Sequence, residues 1–277
     1  MSRHIRELLD LTGRVAIITG GGGLLGRYHA EAIAEAGGVP VLADIYPERA
    51  ELAADDVRQA CGGRAESLFV DVTRKDAVAD MLQNVLRQFG RVDILVNNAA
   101  SNPKVEEADQ KEWQRFEQFP LEQWHSDVAV GLTGVFLCSQ VVGGFMAAHG
   151  GGVIVNVAST LGLVSPDQRI YRRPGVPNDE QMIKPVTYSA IKGGVINLTR
   201  YLATYWAAAH VRVNAISPGG VRNNQDELFL ENYSYRVPLG RMAEADEYKG
   251  SILFLCSDAS SYMTGANLVV DGGWTSW

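Results

Sequence analysis

The stretch Val15-Ala16-Ile17-Ile18-Thr19-Gly20-Gly21-Gly22-Gly23-Leu24-Leu25-Gly26 runs from a β-branched apolar segment into four consecutive glycines and on into a helical pattern. A strand that delivers glycines to a helix N-terminus has the geometry of a phosphate cradle. Glycine permits positive φ and close backbone approach, and the first-turn N–H groups and the helix dipole favour an anion. An ordinary tight turn is the alternative, and the end of the second apolar run separates the two. That run ends in Asp44, 18 residues beyond Gly26, near the roughly 20-residue offset at which an acid meets an adenosine ribose. A carboxylate there accepts from both ribose hydroxyls and repels a 2′-phosphate. The following Ile45 is not basic, so NAD is expected over NADP.

Outward from this unit, short β-branched runs at 15–19, 39–44, 67–70, 93–96, 153–157, 212–216 and 268–270 alternate with helical patterns at 24–36, 47–61, 75–89, 121–148, 185–208 and 243–256. Several strands are apolar on both faces, as parallel strands covered on both sides must be. The expected fold is α/β: a single Rossmann-like domain over residues 1–277, a doubly wound parallel sheet of about seven strands with helices on both faces. No repeat or linker divides the chain. Residues 101–120 and 161–183 break the rhythm after strand ends, where an open α/β sheet places its ligand crevice. They are read as substrate-contacting insertions or, alternatively, as surface or subunit contacts.

Composition narrows the function. Of 277 residues 46% are hydrophobic and 21% charged, and the formal net charge of −7 offers no basic excess for nucleic acid or an anionic membrane. Cys61, Cys138 and Cys256 are far apart, which excludes a disulfide framework or thiolate zinc site and suits a cytoplasmic protein. The charged N-terminus has no signal-peptide core, and no apolar run is read as approaching a membrane span. The five histidines show no ligand spacing, so no metal is expected.

Tyr188 and Lys192 lie four residues apart at the start of a long helical pattern, which stacks them on one face. An ammonium beside a phenol stabilises the phenolate and lowers its pKa toward the range useful for proton transfer. Ser159 closes the strand VIVNVAS, where it can meet a substrate oxygen.

Together these residues resemble the classical short-chain dehydrogenase/reductase family from Arg14 to the end of the chain: the turn Thr19–Gly26, Asp71-Val72, Asn97-Asn98-Ala99, Ser159, Tyr188-x-x-x-Lys192, Ser217-Pro218-Gly219 and Asp271-Gly272-Gly273. The resemblance implies Tyr188 as general acid/base, Lys192 as ribose ligand and phenolate stabiliser, and Ser159 as the residue orienting the substrate oxygen. For the cofactor it implies contacts from Gly20, Gly23, Leu25, Gly26, Asp44, Asp71, Val72, Asn98, Tyr188, Lys192, Pro218, Gly219 and Val221. It further implies a small-molecule substrate and a homotetramer or homodimer.

Three departures from the family pattern stand out. Leu24 occupies the middle-glycine place, giving the spacing Gly20-x-x-Gly23-x-x-Gly26 that looks like the extended members' turn. Gly131 stands where a catalytic asparagine is expected, so either another side chain takes over the proton relay or the path is short. Asn223 replaces the threonine expected after Pro218-Gly219. The 29-residue separation of Ser159 and Tyr188 is long for the family and contains Arg169, Arg172 and Arg173, with Lys184 just before the helix. Guanidinium forks suit carboxylate or phosphate, so an anionic substrate such as a sugar phosphate or nucleotide sugar is expected to meet these arginines. This insertion, taken with Ser217-Pro218-Gly219-Gly220, Val237-Pro238-Leu239-Gly240-Arg241-Met242 and Asp271-Gly272-Gly273-Trp274, is similar to members from bacterial surface-sugar biosynthesis. The leading expectation is an NAD-dependent oxidoreductase interconverting a secondary alcohol and a ketone. The alternatives are an NAD-binding subunit with little turnover and an NAD-retaining epimerase or dehydratase.

Overall fold

A computed structural model describes residues 2–101 and 115–277. The part of the first insertion at 102–114 lies outside the described residues, including Trp113. Seven parallel strands form one sheet in the order β3-β2-β1-β4-β5-β6-β7. They are β1 Val15–Thr19, β2 Val39–Asp44, β3 Glu66–Phe69, β4 Ile94–Asn97, β5 Gly152–Val157, β6 Val211–Pro218 and β7 Asn267–Val270. The helices are α1 Ile5–Leu9, α2 Leu24–Glu35, α3 Pro47–Cys61 and α4 Lys75–Phe89, the continuous run α5 Leu121–Ala148, and α6 Val186–Tyr205, α7 Glu227–Arg236 and α8 Lys249–Cys256.

The two-faced burial of β1 shows why the chain winds both ways. Val15 and Ile17 join a core with Met81 and Val85 of α4, Val142 of α5 and Trp206 after α6. Ala16 and Ile18 point the other way, into a core with Ile33 of α2, Val57 of α3 and Ile252 of α8. The period-2 alternation of a strand feeds both layers at once. Helices α3 and α4 stop at Gly62 and Gly90, both left-handed at φ 63° and 73°, as C-terminal glycines do.

The strand and helix ends expected from sequence agree with these bounds to within a few residues; besides the short α1, which has no counterpart among the expected helices, three differences stand out. Helix α7 has no counterpart among the expected helices, because ELFLENYSYR shows little amphipathic periodicity. The segment at 243–256 is a 3₁₀ turn, Ala245–Tyr248, followed by α8. The third concerns membrane-length apolar runs: by length and composition α5 is long and apolar enough to cross a membrane. Between Asp127 and His149 it carries no charge, although Gly, Ser, Thr and Gln break up its appearance in the sequence. Here Cys138, Val142 and Met146 of α5 pack into the core beside Leu95 and Ile154.

A buried polar ladder ties this packing to α6. Asn97 Nδ2 donates to Asn156 Oδ1 at 2.8 Å and to Ser139 Oγ at 3.1 Å, and Asn156 Nδ2 donates to Thr199 Oγ1 at 2.9 Å. Replacing Asn156 by Ala strands buried partners at about 1–3 kcal/mol per group. Thermal unfolding of Asn156→Ala is expected to show a Tm lower by several degrees, and an unchanged Tm would show that the ladder contributes nothing net.

Candidate active site

The glycine turn is dictated by space as much as by conformation. Gly20 has φ +61°, and a Cβ there would lie 2.8 Å from Ala99 Cα. A Cβ on Gly21 would lie 2.6 Å from Leu42 Cβ, and one on Gly26 would press into the carbonyl of Gly20. The turn is closed by Gly21 N–H to Ala43 O, Gly23 N–H to Gly20 O and Gly22 N–H to Asp44 Oδ2 at 3.0 Å. Gly23 then caps α2 without a side-chain partner for the first-turn N–H groups, which leaves an anion-seeking helix end. Asp44 also accepts from Tyr46 N–H at 3.0 Å, so its carboxylate is fixed at the rim of the turn.

Around this turn the carboxyl ends of β1 to β4 gather the other expected cofactor residues. Asp71 accepts from both the N–H and the hydroxyl of Thr73, and Val72 is buried. Asn98 Nδ2 donates to the carbonyls of Thr19 and Gly20, both at 3.0 Å, while Thr19 Oγ1 accepts from the N–H groups of Asn98 and Ala99. The Asn98 amide therefore holds the glycine turn against β4. A cradle that only glycine fits, an uncapped helix end and a fixed carboxylate suit the pyrophosphate and adenosine ribose of a dinucleotide.

Beside the turn opens a cleft of about 490 Å³, lined by Leu25, Asn98, Pro218, Gly219 and Val221 from the expected cofactor set, by Leu24, and by Ser159, Tyr188 and Lys192. Ser159 Oγ accepts from Leu161 N–H at 3.2 Å, and its hydrogen bond to Tyr188 draws the phenol pKa down while burial, the larger effect, pushes it up. The depressed tyrosine pKa expected from sequence is thus reversed in this chain: burial outweighs its hydrogen bond. Lys192 is buried, donates to Val157 O at 2.7 Å and lies 5.7 Å from the Tyr188 ring centroid. Burial and the nearby Lys184 lower its pKa to about 8.

The insertion at 161–183 divides its arginines. Arg172 and Arg173 line the cleft, and Arg173 pairs with Asp226 at 2.7 Å. Arg169 is not in the lining: it is 74% exposed and grips Asp167 through two bonds of 2.8 and 2.7 Å. Its guanidinium is committed to a neighbouring carboxylate in the same short turn. Sequence reasoning did not find the wall of Tyr171, Phe229, Tyr233 and Trp274, whose rings meet in sequence across the cleft. It also missed Asp127, a buried carboxylate that accepts from Ser101 Oγ, Gln123 Nε2 and Thr187 Oγ1 at 2.8, 2.8 and 2.6 Å. The available signal was its position as the last charge before an uncharged stretch of α5. Asn223, in the place of the expected threonine, also lines the cleft.

This fold and cleft define a nicotinamide-dependent oxidoreductase. A short chain dehydrogenase family model matches residues 14–171, and an enoyl-(acyl carrier protein) reductase model matches 178–275. The chain belongs to the short-chain dehydrogenase family and is an oxidoreductase acting on CH–OH donors. It is 37% identical over 273 residues to the cis-4-hydroxycyclohexanecarboxylate dehydrogenase of Sinomonas cyclohexanicum, covering 95% of this chain and 97% of the relative. It is 32% identical to the NAD-dependent glycerol dehydrogenase of Listeria innocua, covering 96% and 95%. A gluconate 5-dehydrogenase from Burkholderia cenocepacia, solved with NADP and tartrate, superposes with a TM-score of 0.85 at 30% identity, covering 99% and 100%.

Gly131 lies in a π-helical turn of α5, Ala129–Thr133. A Cβ there would come within 2.8 Å of Ile191 Cγ2, the residue preceding Lys192. Restoring an asparagine therefore forces Ile191 aside. Gly131→Asn is expected to lower turnover, and adding Ile191→Ala to recover part of it. A Gly131→Asn enzyme more active than the parent would show instead that the glycine had broken a needed relay.

Proposed function

We propose that this protein is an NAD-dependent dehydrogenase that interconverts a secondary alcohol and a ketone on a small polar, anionic substrate. The convergence of Ser159, Tyr188 and Lys192 on one cleft beside the glycine turn carries this reading. A nicotinamide held in this cleft would supply the hydride-transfer chemistry. Ser159 orients the substrate oxygen by hydrogen bonding, and Tyr188 removes or supplies the hydroxyl proton. Lys192, anchored to Val157 O, binds the nicotinamide ribose and keeps positive charge near the phenol. Pro218, Gly219 and Val221 would border the nicotinamide, while Gly20, Gly23, Leu25 and Gly26 would hold the pyrophosphate. Asp44, Asp71 and Val72 hold the adenosine end.

Arg172 and Arg173 at the cleft support an anionic substrate, for which a sugar, sugar phosphate or nucleotide sugar of bacterial surface-sugar biosynthesis is our reading. A homotetramer or homodimer in the cytoplasm completes the proposal, and the three unpaired cysteines suit a reducing compartment.

Tyr188→Phe removes the transferable proton and little else. Its turnover is expected to fall by about 10²–10⁴-fold with NAD affinity nearly intact, measured by reduced-nicotinamide absorbance on a panel of polyols, hydroxy acids, sugar phosphates and nucleotide sugars. Normal turnover in this variant would refute the assignment.

For the cofactor, the fixed Asp44 carboxylate is expected to make NAD bind much more tightly than NADP, and Asp44→Ala with Ile45→Arg to move the preference toward NADP. Titration of each cofactor by fluorescence checks this, and equal affinities in the parent protein would overturn it.

A further inference from the structure

Beyond the end of β6 at Pro218 the sheet gives one more bond, from Gly219 N–H to Val270 O at 2.9 Å. The peptide that follows, between Gly219 and Gly220, is held by two phenols instead. Tyr233 Oη of α7 accepts from Gly220 N–H at 2.5 Å. Tyr248 Oη, in the 3₁₀ turn before α8, donates to Gly219 O at a longer 3.4 Å. Gly220 O accepts from Ala243 N–H at 3.0 Å, so each backbone N–H and C=O of the two glycines has a partner.

Space selects glycine at both positions. A Cβ on Gly219 would lie 2.9 Å from Asp271 Cα, and one on Gly220 would lie 2.6 Å from Tyr233 Cζ and 2.8 Å from Met242 Cε. With no side chain of its own to anchor it, this peptide takes its orientation from the groups around it. Tyr233 is the stronger of its two phenol partners. The residue is buried, its ring is stacked on Trp274 with centroids 4.7 Å apart, and Phe229, one turn earlier in α7, tilts against it at 5.9 Å. Packing on these neighbours aims the hydroxyl. Burial pushes its pKa up to about 12, so it remains a neutral hydrogen-bonding group at working pH. Tyr233, Gly219 and Gly220 line the cleft that holds Ser159, Tyr188 and Lys192, and the same three residues, with Tyr248, border a second cavity of about 90 Å³. The peptide thus meets open space in two places, and the phenol bonds fix the tilt of its plane.

We propose that Tyr233 is a positioning residue for the cofactor: its hydroxyl sets the tilt of the Gly219–Gly220 peptide, and so the surface that Pro218, Gly219 and Val221 present to the nicotinamide. This rests on the reading of those three residues as the nicotinamide border. Because the same ring lines the cleft with Phe229 and Trp274, the aromatic wall and that border form one body, and α7 acts on the cofactor without touching the glycine turn.

Binding of NADH and of ADP-ribose separates the two ends of the cofactor, since ADP-ribose lacks only the nicotinamide. Each is titrated by calorimetry into the full-length protein. Tyr233→Phe keeps the ring and deletes the hydroxyl. It is expected to weaken NADH about three- to tenfold, the worth of one hydrogen bond, and to leave ADP-ribose within about twofold of the parent. Gly220→Ala, whose Cβ pushes the hydroxyl aside, should show the same selective loss, and Tyr248→Phe, which deletes the longer bond, a smaller one. The proposal is overturned if the ratio of the two affinities in Tyr233→Phe equals that of the parent, or if NADH and ADP-ribose weaken equally in both Tyr233→Phe and Gly220→Ala. A parent protein that binds neither ligand overturns the reading of the glycine turn as a dinucleotide site, and this proposal with it. A parent that binds both, with an unchanged ratio in Tyr233→Phe, leaves that reading standing and removes only the role of Tyr233.

Discussion

Two adjacent side chains at the carboxyl end of β4 hold the two halves of the site together. Asn97 and Asn98 project to opposite sides, as successive residues of extended chain do. The Asn98 amide reaches the carbonyls of Thr19 and Gly20 and fixes the glycine turn. Asn97 reaches Asn156, which in turn reaches Thr199 on α6, the helix that bears Tyr188 and Lys192. One strand end therefore sets the distance between the glycine turn and the helix that carries Tyr188 and Lys192. These amides are buried or half-buried and bonded to backbone or to one another, so neither half can shift without stranding polar groups.

On that frame the cleft concentrates positive charge beside a phenol. Burial lowers Lys184 and Lys192 each to about 8, well under the ordinary lysine range. Between that value and the unfolded value near 10.4 the folded chain binds fewer protons than the unfolded one. The contribution of these two groups to stability therefore increases as pH rises through that window, and their burial is most costly below pH 8. Such a cost is borne where function requires charge in a dry place. The two ammonium groups lie 4.3 and 5.7 Å from the Tyr188 ring centroid, and positive charge at that range favours the phenolate over the phenol. Burial alone raises the phenol, so the site sets two opposing effects against each other.

Sequence legibility followed the range of the interactions. The strands, the glycine stops at Gly62 and Gly90 and the Tyr188/Lys192 pair are local patterns, and they could be read directly. Helix α7 could not, because its helical burial comes from docking: Tyr233 is buried beside Ile170 and Trp274, residues distant in the chain. Arg169 misled because composition counts a guanidinium without its partner, and Asp167 lies only two residues away. The aromatic wall assembles from the insertion, α7 and the C-terminal segment. No periodicity links those three segments.

Gly131 shows the same limit from the other side. Taken alone it looks like a lost catalytic side chain, yet α5 uses glycine repeatedly where it approaches its neighbours. A Cβ at Gly134 would lie 2.8 Å from Val72 Cγ2, and one at Gly143 would lie 2.7 Å from the Trp206 ring and 2.8 Å from Ile154 Cδ1. With Ile191 against Gly131, the helix is drawn close to the end of β3, to β5 and to both ends of α6. Tight approach places the start of α6 and the turn after β3 against one rigid element. The missing asparagine is therefore coupled to a packing choice: Ile191 fills the volume, and the polar groups near Tyr188 come from Lys184 and the Asp127 network on the neighbouring turns. A side chain at position 131 would require Ile191 to move, and this chain pairs the glycine with the isoleucine.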